Sequence, residues 1–166
     1  MATVNNLQEA FAGESQANRK YLAFAKKAEQ DGYPQVAKLF RAAAAAETVH
    51  AHAHLRVLNG VKDTAANLEA AIAGEGFEYQ SMYPKFVAEA KAEGDKKAEA
   101  SFKNALVVEE VHFNLYGEAL KAVKAGKDAA ATAVYVCDIC GNTVYGSAPD
   151  KCPVCGAAKA RFMAID

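Results

Sequence analysis

Two eleven-residue stretches, FRAAAAAETVH at 40–50 and FKNALVVEEVH at 102–112, carry Phe, a basic residue, Glu and Val-His at the same offsets. A helix turns about 100° per residue, so Glu47 and His50 share one face, and Glu109 and His112 share another. A carboxylate and an imidazole offered together can each give a lone pair to a divalent cation. The duplication extends further up the chain, because FAGE at 11–14 is echoed by IAGE at 72–75 at almost the same separation as the two Glu-x-x-His pairs. The repeat therefore adds Glu14 and Glu75 as a matched pair of acids. A duplicated helical hairpin with no site is the plain alternative, but two motifs in register with a second matched glutamate are hard to reach by chance.

The elements that must hold these residues are long helices. Residues 1–126 contain only Pro34 and Pro84, are rich in alanine, and space apolar residues by three and four, as in Leu7, Ala10 and Phe11 or Tyr21, Phe24 and Ala28. Punctuation at DGYP (31–34), NGVKDT (59–64) and AEGDKK (92–97) predicts four helices over about 4–30, 34–59, 64–93 and 96–125. Gly60 is expected just past the end of the second helix, and Pro84 should kink or interrupt the third at MYP. GKDAAATA (126–133) reads as a linker, after which YVCDICGNTVYG and CPVCG predict short strands and tight turns.

Glu14 and Glu75 sit near the middles of the first and third helices among apolar neighbours. Carboxylates there would be costly to bury unless a cation offset them. One Glu from each of two helices and Glu-x-x-His from each of two others is the ligand inventory of carboxylate-bridged di-iron and di-manganese helical bundles. Oxygen and imidazole donors suit iron or manganese. Glu110 should point about 100° away from Glu109, and His52 should face off the site. His54 is expected as a supporting or core histidine, and Glu29, Glu69, Glu89, Glu93, Glu99 and Glu118 as solvated helix-face acids. Glu78, one turn after Glu75, breaks the symmetry, because position 17 of the first repeat is alanine.

All four cysteines lie near the end of the chain, as Cys137-Asp-Ile-Cys140 and Cys152-Pro-Val-Cys155, each pair followed by glycine. Paired knuckles of this kind place four thiolates around one ion, zinc or iron. The segment 134–166 has Lys151, Lys159 and Arg161 against Asp138, Asp150 and Asp166, so its net charge is zero, which disfavours a nucleic-acid-binding zinc ribbon. Tyr135, Tyr145 and Phe162 offer a small aromatic core for this metal-held fragment. The whole chain of 166 residues is 52% hydrophobic and 23% charged with a net charge of −1, so neither nucleic acid nor membrane is an expected partner. Its first residues, MATVNNLQEAF, lack a basic segment followed by an apolar run, and the expected location is cytoplasmic.

Together Glu14, Glu47-x-x-His50, Glu75-x-x-Glu78 within GEGFEYQSMYP, Glu109-x-x-His112, YVCDICG and CPVCG resemble the rubrerythrin family over nearly the whole chain. The resemblance implies an all-α, ferritin-like four-helix bundle over 1–126, a linker over 127–133, and a small, mostly β, rubredoxin-like domain over 134–166. It implies that Glu47 and Glu109 bridge two non-haem irons, that Glu14 and Glu75 are terminal ligands, and that His112 holds one iron. His50 and Glu78 would be alternating ligands of the other. Tyr21 and Tyr83 match tyrosines hydrogen-bonded to ligand carboxylates, with aromatic packing as the simpler role. Cys137, Cys140, Cys152 and Cys155 would hold a third iron, for which zinc can substitute.

The implied activity is a di-iron peroxidase that reduces hydrogen peroxide to water in oxidative-stress defence, with electrons relayed through the rubredoxin-like iron. Rubredoxin and an NAD(P)H-dependent reductase would be the donors, since the chain has no Gly-rich dinucleotide fingerprint. The alternatives are a ferroxidase or iron-storage protein with a structural zinc tail, and a zinc-ribbon adaptor on a metal-free bundle. Assembly can also be argued from helix length. Glu47 and Glu75 stand roughly 17–18 Å from the turn at 59–64, too far for so short a segment to make the full-length crossover of a ferritin-like bundle. The expectation is a homodimer that exchanges hairpins, unless one chain folds up-down-up-down.

Overall fold

A computed structural model describes residues 2–166. The chain divides into two compact units, one ending at Lys62 and the other spanning Asp63–Asp166. No helix among the described residues is long and apolar enough to cross a membrane.

The first unit is a helical hairpin of α1 (Ala2–Gln30) and α2 (Pro34–Val57). Gly32, at φ +83°, makes the reversal that Asp31 and Tyr33 flank, and Pro34 starts α2 where no helical N–H is required. The centre of the hairpin is built from alanine: Ala25 and Ala37 are almost fully buried, and Phe40 packs against them. Small side chains let the two backbones approach closely, and Asn18 uses that proximity to donate to the Ala44 carbonyl at 2.7 Å. Tyr21, Phe24 and Phe40 stack beside this core with ring centroids 5.6–6.3 Å apart. Leu39, Val49 and Val57 remain largely exposed, which leaves a broad apolar surface on α2. At the end of α2 the left-handed residue is Asn59, not Gly60. Gly60 lies close against Leu55, whose side chain would have to shift to admit a Cβ there.

The second unit joins a helical hairpin to a small sheet. Asp63 caps α3 (Thr64–Phe77) by accepting from Ala66 N–H at 2.9 Å. A π turn, Glu78–Met82, leads into α4 (Tyr83–Glu93), and α5 (Lys96–Lys124) returns after Gly94 at φ +75°. The expected third helix is thus interrupted next to MYP, by a wider turn and not by a loop. Pro84 sits in the first turn of α4, and the wider turn lies just before it, with Tyr83 N–H donating to Glu78 O. Gly76 lets α3 meet α5, since a Cβ would come within 3.2 Å of Phe113. Tyr83, Phe86 and Phe102 fill the far part of this hairpin.

Glu99 is a correction to the sequence reading. It is buried, 7% exposed, because Lys96 and Lys103 bond its two oxygens at 3.1 and 2.7 Å and neutralise the charge locally. The other five acids are exposed as expected, Glu29 and Glu69 pairing with Arg41 and Lys124. Beyond α5 the strands β1 (Val134–Cys137), β2 (Thr143–Tyr145) and β3 (Phe162–Ile165) form an antiparallel sheet in the order β2-β1-β3, with Val134 opposite both Tyr145 and Ile165.

Candidate metal centres

The hairpin of the first unit brings Glu14 from α1 against Glu47 and His50 from α2. His50 Nδ1 lies 2.9 Å from Glu47 Oε2 and 3.9 Å from Glu14 Oε1. The hydrogen bond from His50, aided by one from Glu14, holds the Glu47 carboxyl below its ordinary range. The His50 side chain is 55% exposed.

The second unit repeats this arrangement with Glu75 from α3 and Glu109 and His112 from α5. His112 Nδ1 lies 2.9 Å from Glu109 Oε2 and 3.8 Å from Glu75 Oε1. Here the carboxylates repel one another. Burial, then the negative charge of Glu109, push Glu75 up from 4.5 to about 7. Two acids crowded against an imidazole nitrogen, one of them reluctant to ionise, are a donor set that a divalent cation would relieve. Each triad brings its three donor atoms within 4.8 Å of one another.

Glu78, the acid that breaks the repeat, opens the π turn and stands near this second triad without joining its three-atom cluster. Burial and the charge of Glu109 raise its pKa as well. Tyr83 also feels the site: burial, then Glu78, Glu109 and Glu75, disfavour its ionised form. Tyr21, its expected counterpart, packs instead with Phe24 and Phe40. Glu110 and His52 are exposed and His54 is half-buried. Two residues were missed in the sequence. Tyr116 lies one turn after His112, with ring centroids 6.4 Å apart, a spacing that could have flagged it. Thr143 Oγ1 lies 3.0 Å from His112 Nε2, and no spacing along the chain signals that contact.

The cysteines converge on one point. Cys137 and Cys155 sulfurs are 3.7 Å apart, and Cys140 and Cys152 sulfurs 3.6 Å. A tetrahedral ion with bonds of about 2.3 Å to thiolate needs sulfurs roughly 3.8 Å apart, whereas a disulfide needs roughly 2.05 Å. The spacing fits a metal. Both knuckles are built alike: Gly141 N–H donates to Cys137 O at 2.8 Å and Gly156 N–H to Cys152 O at 2.9 Å, each glycine at positive φ. Burial works against the Cys152 thiolate, yet the N–H groups of Cys155 and Val154 hold its pKa to about 7. Burial pushes the Cys140 thiol up, a demand that a bound cation would meet.

The family model for rubrerythrin matches residues 5–120, and the model for the rubrerythrin rubredoxin-like domain matches residues 135–163. The chain belongs to the rubrerythrin family. Rubrerythrin-2 of Clostridium acetobutylicum is 35% identical over 98% of this chain and 96% of its own length. Nigerythrin of Nitratidesulfovibrio vulgaris is 37% identical, over 98% and 86% respectively. Among solved structures, fully reduced, all-ferrous nigerythrin matches with a TM-score of 0.59 at 34% identity, covering 98% of this chain and 86% of that one. Membership makes this a di-iron protein with oxidoreductase chemistry, from a family of oxidative-stress defence, whose rubredoxin-like domain carries the four-cysteine iron site. The fold class is that of a ferritin-like helical protein with a small rubredoxin-like sheet domain.

Proposed function

We propose that this rubrerythrin reduces hydrogen peroxide to water, H2O2 + 2 e− + 2 H+ giving 2 H2O, and that the four-cysteine iron relays the electrons. The observation that carries this reading is the tetrathiolate cluster built onto the same compact unit as Glu75, Glu109 and His112, next to α5. A ferroxidase or storage protein has no use for an electron relay there. Glu47 and Glu109 would bridge two irons, Glu14 and Glu75 would be terminal ligands, His112 would be a fixed ligand, and His50 and Glu78 would alternate. When bound, the two irons supply a pair of electrons together and polarise the peroxide oxygens as Lewis acids.

The chain's own residues supply position and protons. Tyr83, held neutral near Glu75, Glu78 and Glu109, can donate a hydrogen bond to a carboxylate or to peroxide oxygen. Glu78 can hold a proton when it is not a ligand, because burial and Glu109 both disfavour its charge. We place the bundle at 1–126, the linker at 127–133 and the rubredoxin-like domain at 134–166. Rubredoxin and an NAD(P)H-dependent reductase are the proposed donors, in the reducing cytoplasm that four free thiols require.

A homodimer that exchanges hairpins would complete both centres, and the short stretch between Val57 and Thr64 together with the exposed Leu39, Val49 and Val57 supports it. Gel filtration should return a dimer; a monomer holding both triads on one chain would reject the exchange. For the reaction itself, the iron-loaded protein is reduced anaerobically and mixed with peroxide. Rapid return of the red, thiolate-coloured oxidised spectrum supports the peroxidase. A colourless zinc tail with iron mineralisation would favour the storage reading.

A further inference from the structure

We propose that Thr143 is a positioning residue, whose hydroxyl sets the tautomer and ring plane of His112 so that Nδ1 presents its lone pair to the metal. With a cation taking Nδ1, the donors and acceptors around Nε2 fit together. Thr143 Oγ1 lies 3.2 Å from the Gly141 carbonyl and 3.0 Å from His112 Nε2. A carbonyl only accepts, so the hydroxyl proton goes to Gly141 O, and Oγ1 is left to accept from His112. Nε2 therefore carries the hydrogen. A cation among Glu75, Glu109 and His112 would then take the lone pair of Nδ1, the nitrogen that faces both carboxylates.

A second contact holds the knuckle in place. Val108, 2% exposed and one turn before His112 on the same face of α5, lies where a Cβ on Gly141 would meet its Cγ1 at 3.6 Å. Gly141 is itself fixed by its bond to Cys137 O and follows Cys140 directly. The cysteine knuckle thus rests on two successive turns of α5, and Thr143 turns that seat into an orientation for the ring. Among the described residues of the first hairpin, no hydrogen bond plays this part for Nε2 of His50. The metal-ligating histidine commonly gives its remote N–H to an oxygen partner, and losing that partner costs roughly 10–100-fold in metal affinity.

The proposal rests on reading Glu75, Glu109 and His112 as metal ligands, and the experiment separates the two. Full-length protein with zinc already at the cysteines is titrated with further zinc, and the His112 Nε2–H is followed by 15N NMR in the zinc-loaded half-site, with exposed His52 as reference. Thr143→Val should weaken the added zinc about 10-fold or more and speed the exchange of the His112 Nε2–H with water. Thr143→Ser, which keeps the hydroxyl, should restore both. Unchanged affinity and Nε2–H exchange in Thr143→Val would overturn the proposal, as would a serine variant no better than valine. Should the valine variant not fold, Thr143→Ala puts the same question. His112→Ala decides the underlying reading: if it binds zinc like the wild type, His112 is not a ligand, whereas lost binding beside an unaffected Thr143→Val sinks only the positioning role.

Discussion

The two triads have the same three residue types at nearly the same offsets and differ in everything that surrounds them. Glu14, Glu47 and His50 lie on a two-helix hairpin whose imidazole is more than half exposed, and whose Glu47 is eased into its charged form by that imidazole. Glu75, Glu109 and His112 are crowded by burial and by Glu78, and the ring of His112 is gripped from behind by Thr143. A repeated motif thus fixes which atoms can bind a metal, and the environment decides which of them are free to move. The exposed ring of His50 has the slack that the proposed alternating ligand needs. The second nitrogen of His112 is tied down, as the proposed fixed ligand requires.

The comparison breaks most severely when a shared glutamate is removed. Glu109→Ala should abolish metal at the second triad and with it peroxide turnover, by upwards of about a hundredfold, since losing a ligand exceeds the loss of a supporting partner; iron content and stopped-flow reoxidation measure both. Glu78→Ala strikes the asymmetry instead. Iron content should stay near that of the wild type while turnover falls roughly 10–100-fold, and a variant with normal turnover would show that the two halves need not differ.

The pH dependence of the metal-free protein sharpens the contrast. Glu75 has a folded pKa raised from 4.5 to about 7, so in metal-free protein its contribution is fully present below about pH 4.5 and is lost as pH rises through 7. Glu47, with its pKa lowered, contributes above pH 4.5 and loses that contribution as pH falls through its folded value. Thermal unfolding of Glu75→Gln should therefore lose the decline between pH 4.5 and 7, and Glu47→Gln should soften the decline in acid. The smallest effect belongs to a residue outside both sites. Glu99, pulled down to about 2 by Lys103 and Lys96, stabilises above pH 4.5 and stops doing so as pH falls through 2. Glu99→Gln should lower the melting temperature modestly at neutral pH and not at all at the acid extreme.

Much of this was legible in the sequence because helical geometry is local. Glu-x-x-His, the matched FAGE and IAGE, and the two C-x-x-C-G knuckles each declare their faces within a few residues, and Glu110 could be set apart from Glu109 by a single step of about 100°. What was not legible depends on distance between elements. Thr143 meets His112 from a different element far along the chain, and nothing in CGNTVY marks it. Glu99, in KKAEASFK, looks solvated because its lysines look solvated; only the fold shows that they close over it. Pro84 marked the interruption of the third helix, but not its form, a wider turn that absorbs the missing N–H upstream.

That wider turn has a further consequence, visible in the spacing of the acids alone. The step from Glu75 to Glu109 is longer by a single position than the step from Glu14 to Glu47, so the second repeat holds one more amino acid between its two glutamates. The stretches from helix start to the acid of Glu-x-x-His, Pro34 to Glu47 and Lys96 to Glu109, are equal in length. The extra position therefore lies on the α3–α4 side, where Glu78–Met82 widens the helix by reaching one position further for each hydrogen bond. One additional position taken up as a bulge, opening on a glutamate where the first repeat has Ala17, is what makes the second hairpin more than a copy of the first.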